Sequence, residues 1–215
     1  MKKIILLSIC LANACFAFGQ AGESIYAISG NDLSLKSKFI ETFPIEQGVT
    51  LTPYIFKKTE TIFTSSTYGS FSLNFYRFKD YEDNPGEYNV IVLMKNGVNV
   101  LELKNSDGFE KISKYVREET SFFSVIELAI NTYALIFTGT ILASQPPMLS
   151  IVLIRNGQVK LVYNKPMYIK SISKQAGSFS MQLQANTLEY VYGNTPANEA
   201  KLHTIWWDGA TLRFQ

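Results

Sequence analysis

From residue 49 onward the apolar positions fall into short runs rich in Val, Ile, Leu, Phe and Tyr, punctuated by Gly, Asn, Asp, Ser and Pro. That pattern predicts strands over 49–56, 61–64, 70–78, 122–130, 132–138, 168–173, 178–184 and 187–192. Two further pairs, 88–95 with 98–103 and 149–155 with 158–163, meet at Asn96-Gly97 and Asn156-Gly157. Asn-Gly supplies the positive φ angles of a type I′ turn, whose twist suits antiparallel strands, so each pair reads as a hairpin. Segments 91–94 and 151–154 are apolar on both faces and belong inside a sheet covered on both sides. Segment 159–163 alternates less strictly, as an outer strand does. One stretch breaks the pattern: after Ser106, Phe109, Ile112 and Val116 fall at helical spacing and predict a short helix over 107–119.

The strands repeat. Ile91-Val92-Leu93-Met94-Lys95-Asn96-Gly97 returns 60 residues later as Ile151-Val152-Leu153-Ile154-Arg155-Asn156-Gly157. The same offset links Ile112-Ser113-Lys114 to Ile172-Ser173-Lys174, and a weaker third copy ends Trp206-Trp207-Asp208-Gly209. Phe-Ser openings at Phe71-Ser72, Phe123-Ser124 and Phe179-Ser180 come in the same order. These matches predict a single all-β, antiparallel domain over 20–215, with repeats near 70–121, 122–177 and 178–215 of about four short strands each. Such units build a propeller-like fold or, alternatively, a two-sheet sandwich or open barrel. In the propeller alternative, 20–69 is a degenerate first unit and 38–45 supplies a strand to the last.

The first 19 residues have a different character. Lys2 and Lys3 precede the apolar stretch Ile4 to Leu11, too short for a membrane span, and Ala17-Phe18-Gly19 places small side chains at −3 and −1. This is the pattern of a secretion signal cut before Gln20. A second reading makes Cys15 a lipidated residue, although Ala12 stands where a lipobox has Leu. Cutting before Gln20 leaves 215 − 19 = 196 residues and removes both cysteines, Cys10 and Cys15. Disulfides, thiolate metal sites and cysteine nucleophiles are then excluded, and core burial alone must hold the fold. The 20 basic and 18 acidic residues become 18 and 18 without Lys2 and Lys3. A neutral chain gives no electrostatic case for nucleic acid or an anionic membrane. After residue 19 the nearest approach to a membrane span, 122–143, is interrupted by Glu127, Asn131 and Gly139. The expected location is periplasmic or extracellular.

Candidate chemistry is sparse. His203 is the sole histidine, so it has neither a second His nor a Cys with which to hold zinc. It reads as a strand residue, and Ser178 and Ser180 lie in a strand, not on a nucleophile elbow. A carboxylate pair is the remaining catalytic option, and Glu102, Glu127 and Glu189 sit in or near strands. Glu127 lies between apolar residues: burial would raise its pKa, while strand alternation would turn it to water. The loop 80–87 gathers four carboxylates and an Asn without the spacing of a calcium loop, and reads as solvated. Adjacent Trp206 and Trp207 must face opposite sides of a strand, leaving one ring to bind a sugar or a partner beside Tyr190 or Tyr192. The preferred reading is therefore a non-enzymatic binding protein of a bacterial envelope, needing no metal or cofactor. Its ligand is a glycan or a protein, in one variant a toxin or hydrolase that it inhibits. A carboxylate-dependent hydrolase such as a glycosidase is the alternative.

Overall fold

Consecutive strands pair along the chain in three runs of four. The computed structural model describes residues 22–41, 54–79, 86–112, 122–140, 146–175, 178–185 and 202–215. The leader with its cysteines, residues 80–85 of the acidic loop, Glu189, Tyr190 and Tyr192 lie outside these residues. The first meander comprises β4 (Tyr54–Ser65), β5 (Gly69–Phe78), β6 (Tyr88–Lys95) and β7 (Val98–Glu110). The second comprises β8 (Ser124–Ala129), β9 (Thr132–Gly139), β10 (Met148–Arg155) and β11 (Gln158–Pro166). The third comprises β12 (Tyr168–Gln175), β13 (Ser178–Gln184), β14 (Leu202–Trp207) and β15 (Leu212–Phe214). Amino-terminal to these, β1 (Glu23–Ser24) pairs with β15, while β2 (Tyr26–Ser29) and β3 (Asp32–Leu35) form a separate hairpin.

The end of β7 reaches β9 through Phe109↔Gly139 and Glu110↔Thr138, joining the first two meanders into an eight-stranded sheet. That sheet folds over so that its halves face one another. Phe71, Leu73, Phe75, Ile91 and Leu93 of the first half pack against Leu135, Phe137, Val152 and Ile154 of the second. The other side of the second meander carries Ala134, Ile136, Leu149, Ile151 and Leu153, which pack on Phe179, Met181, Leu183 and Ile205 of the third. The middle layer is thus covered on both faces, and Ile151, Val152, Leu153 and Ile154 are all buried, as their apolar run predicts. The chain is all-β with antiparallel sheets. Of the two expected architectures it takes the sandwich, built here in three layers, and no barrel closes among the described residues.

Local details follow from turn chemistry and pairing. Asn96 (φ 50°) and Gly97 (φ 78°), and Asn156 (φ 47°) and Gly157 (φ 78°), give both Asn-Gly tips the two positive φ angles of a type I′ turn. Asp208-Gly209 differs. The Asp208 carboxylate accepts the amides of Ala210 (2.8 Å) and Thr211 (2.7 Å) in a longer loop between Trp207 and Leu212. The helix expected over 107–119 gives way at its start, because residues up to Glu110 continue β7 and pair with β9. Asn89 fixes that stretch by donating to the carbonyls of Asn105 and Ser106 (3.3 and 3.1 Å). Residues 113–119 are not among those described. Strand β4 runs unbroken through the polar 57–60, which had divided it into two expected strands; bulges fall beside Lys57 and Ile62. Residues 37–39 form a 3₁₀ turn, and Ile40 then bridges Asn164 on the β11 edge. The possible last-blade strand at 38–45 is thus absent over 38–41.

Candidate ligand-binding face

The first meander has one face on the core and a second face that is partly open over β4, β5 and β7, while β6 between them is buried on both sides from Tyr88 to Leu93, as the apolar run at 91–94 predicts. Across its open face the register sets Phe56, Tyr76, Val90 and Lys104 in one row, and Thr59, Asn74, Val92 and Glu102 in the next. Period-two alternation produces this arrangement: Phe71, Leu73 and Phe75 turn inward, so the residues between them turn outward. Tyr54 and Phe56, two residues apart, share the open face and remain 40% and 52% exposed. Both rings meet the half-buried Tyr76 edge-on, with centroids 5.5 and 5.7 Å away and interplanar angles of 71° and 69°. Val90, on the same side, is nevertheless fully buried.

Polar groups border the rings. The Lys104 ammonium contacts the Glu102 carboxylate at 2.8 Å, which holds the lysine pKa above its ordinary value. The Thr59 hydroxyl donates to the Asn74 side-chain oxygen at 2.7 Å. Donors and acceptors therefore stand beside an apolar platform, with the two charges of the pair cancelling.

The residues expected from sequence lie elsewhere. Trp207 turns inward and packs against the core between the second and third meanders. Trp206 turns outward, opposite Ser180 and Arg213, with its ring over Gly22, where a Cβ would overlap it. Trp207→Ala is expected to cost about 2 kcal/mol, roughly half the penalty of truncating a fully buried aromatic ring. Trp206→Ala should cost less than half of that, and urea denaturation of both variants measures the difference. His203 stacks on Phe214 at 4.8 Å and its Nδ1 lies 3.1 Å from the Gln215 carbonyl oxygen. Ser178 and Ser180 lie in β13. Glu127 is exposed between buried Ile126 and Leu128, as alternation dictates, and Glu102 is tied to Lys104. Among the described residues no group of three or more His, Cys, Asp or Glu could hold a metal ion.

An open cleft of about 590 Å³ lies where the β2–β3 hairpin meets the Asn-Gly tips. It is lined by Asp32, Leu33, Lys95, Val100, Val159 and Lys160, among others. Among the described residues Asp32 is its one carboxylate; neither Glu102 nor Glu127 reaches it. No known protein family, curated protein or solved structure matches the chain.

In the sequence Tyr54 and Phe56 are simply the end of the strand expected over 49–56. Their signal is an aromatic pair at i and i+2, followed by Lys57, Lys58 and Thr59. It becomes legible only once β4 is known to be an outer strand.

Proposed function

We propose that this chain is an exported, non-enzymatic binding protein of a bacterial envelope, whose glycan or protein ligand seats on the open face around Tyr54, Phe56 and Tyr76. One observation carries the reading. A chain with two filled cores leaves two large aromatic rings side by side in water. Burying such a side chain is worth about 1.5–3 kcal/mol, a gain left for a ligand to collect. The leader supports export, and the neutral, cysteine-free sequence after Gly19 suits a partner recognised by shape, stacking and hydrogen bonds.

Photo-crosslinking tests this. Benzoylphenylalanine at position 56 abstracts hydrogen from any neighbouring C–H group, so it captures sugars and polypeptides alike. In whole cells it is expected to give a discrete adduct, while the same group at exposed Thr67 gives none. Equal labelling from both positions, or none from position 56, would remove the open face from consideration.

A further inference from the structure

We infer that the ligand of this face is a neutral glycan chain that crosses the strands from β4 toward β7; this rests on the open face being the binding surface. Three observations select a glycan over a protein. The first is area. An aromatic side chain offers about 150–250 Å², so the exposed fractions of Tyr54 and Phe56, 40% and 52%, present together about 200 Å² of ring surface. A standard protein partner covers about 800 Å² per side around a dry core. A platform of this size suits the C–H face of a sugar ring.

The second is the border. Lys and Glu are depleted at the centre of protein interfaces, where their desolvation is costly. Here Glu102 and Lys104 stand on the same face as the rings, with Val90 and Val92 of β6 between, and Thr59 and Asn74 lie beside the rings on β4 and β5. A carboxylate, an ammonium, an amide and a hydroxyl are the groups that exchange hydrogen bonds with sugar hydroxyls, and sugar hydroxyls keep such groups hydrogen-bonded on binding. The mutual neutralisation of Glu102 and Lys104 leaves no net charge to prefer an anionic polymer.

The third is direction. The rings lie over β4 and β5, and the ion pair lies on β7, three strand spacings away from β4. At about 4.8 Å per spacing that is about 14 Å between backbones, and the Tyr54 phenol comes near enough to Lys104 to help raise its pKa, so the rings and the ion pair are within reach of the same short run of sugars. The chain would stack at one end and exchange hydrogen bonds at the other.

Isothermal titration of the whole exported protein with neutral hexasaccharides (cello-, chito-, manno- and xylohexaose) provides the test. At least one is expected to bind, Phe56→Ala to weaken it tenfold or more, and Glu102→Gln to weaken it severalfold, with circular dichroism unchanged. Phe56 is over half exposed, so its variant keeps the fold. Absence of heat from all four sugars at millimolar concentration, with a polypeptide adduct from position 56, would overturn the glycan while leaving the face as a protein-binding site. Absence of both heat and adduct would overturn the face itself. Binding that Phe56→Ala and Glu102→Gln leave unchanged would place a glycan elsewhere and overturn this inference too.

Discussion

Phe137→Ala is expected to lower the stability of the protein by about 3–5 kcal/mol, the range for truncating a buried aromatic ring. Phe137 has no exposed surface, and its ring lies 6.3 Å from Phe109 and 6.1 Å from Phe123. Those neighbours belong to the end of β7 and the approach to β8, so the ring fills the junction where the first meander passes into the second. Domains of ordinary stability hold about 5–15 kcal/mol in reserve. One substitution would therefore take a large share, with no cysteine after residue 15 to form a disulfide that offsets it. Urea denaturation followed by tryptophan fluorescence and circular dichroism measures the loss. A shift in midpoint with unchanged slope means that the layers unfold together. If the two probes separate, the third meander, which carries both tryptophans, unfolds independently of the first. A loss below about 1 kcal/mol would contradict a sealed core at that junction. The same measurement on Phe56→Ala should show a change within about 0.5 kcal/mol, as for other surface positions.

This contrast follows the boundary between what the sequence makes legible and what it hides. Two-sided burial of the middle layer is legible in the uninterrupted run Ile151 to Ile154, because no residue there tolerates water. The Asn-Gly hairpins are legible because their turn conformation depends on two adjacent residues. Features decided by distant partners are not. The helical spacing of Phe109 and Ile112 is a real local pattern, but pairing of Phe109 and Glu110 with β9 outweighs it. The hairpin of β2 and β3 turns at Gly30-Asn31, the reverse of the strong turn signal, and its short flanks alternate poorly.

Lys57 to Glu60 reads as a break because it is polar. In the fold Lys58 pairs with Glu60 and lies 5.1, 5.4 and 5.3 Å from the ring centres of Phe75, Tyr88 and Phe122. An outer strand accommodates such charges by running their stems along the core edge. The candidate site obeys the same logic. Alternation alone places Trp206 and Trp207 on opposite faces, but which face is covered depends on Gly22 and the third meander's partners. Tyr54 and Phe56 are conspicuous only after β4 is seen to be an outer strand whose first residues stay exposed.

The closing prediction separates turn strain from packing, using two glycines in the same conformation. Gly97 and Gly157 both have φ of 78° at the second position of a type I′ turn, so alanine at either incurs the left-handed penalty of about 1–2 kcal/mol. Their surroundings differ. A Cβ on Gly97 would meet nothing within 4 Å, whereas one on Gly157 would lie 2.8 Å from Tyr68 Cδ1 and 3.0 Å from Lys95 Nζ. Lys95 also donates to the Gly157 carbonyl at 2.9 Å, fastening the tip of the second meander to the base of the first meander's tip. Gly157→Ala must therefore displace the Tyr68 ring or the lysine, and overpacking of this kind costs about 1–3 kcal/mol beyond the strain. The expected order is Gly157→Ala well below Gly97→Ala in stability, with the gap shrinking when Tyr68 is also replaced by alanine. Equal losses for the two glycine variants would mean that the hairpin tips do not pack, and the cleft between them would lose its wall.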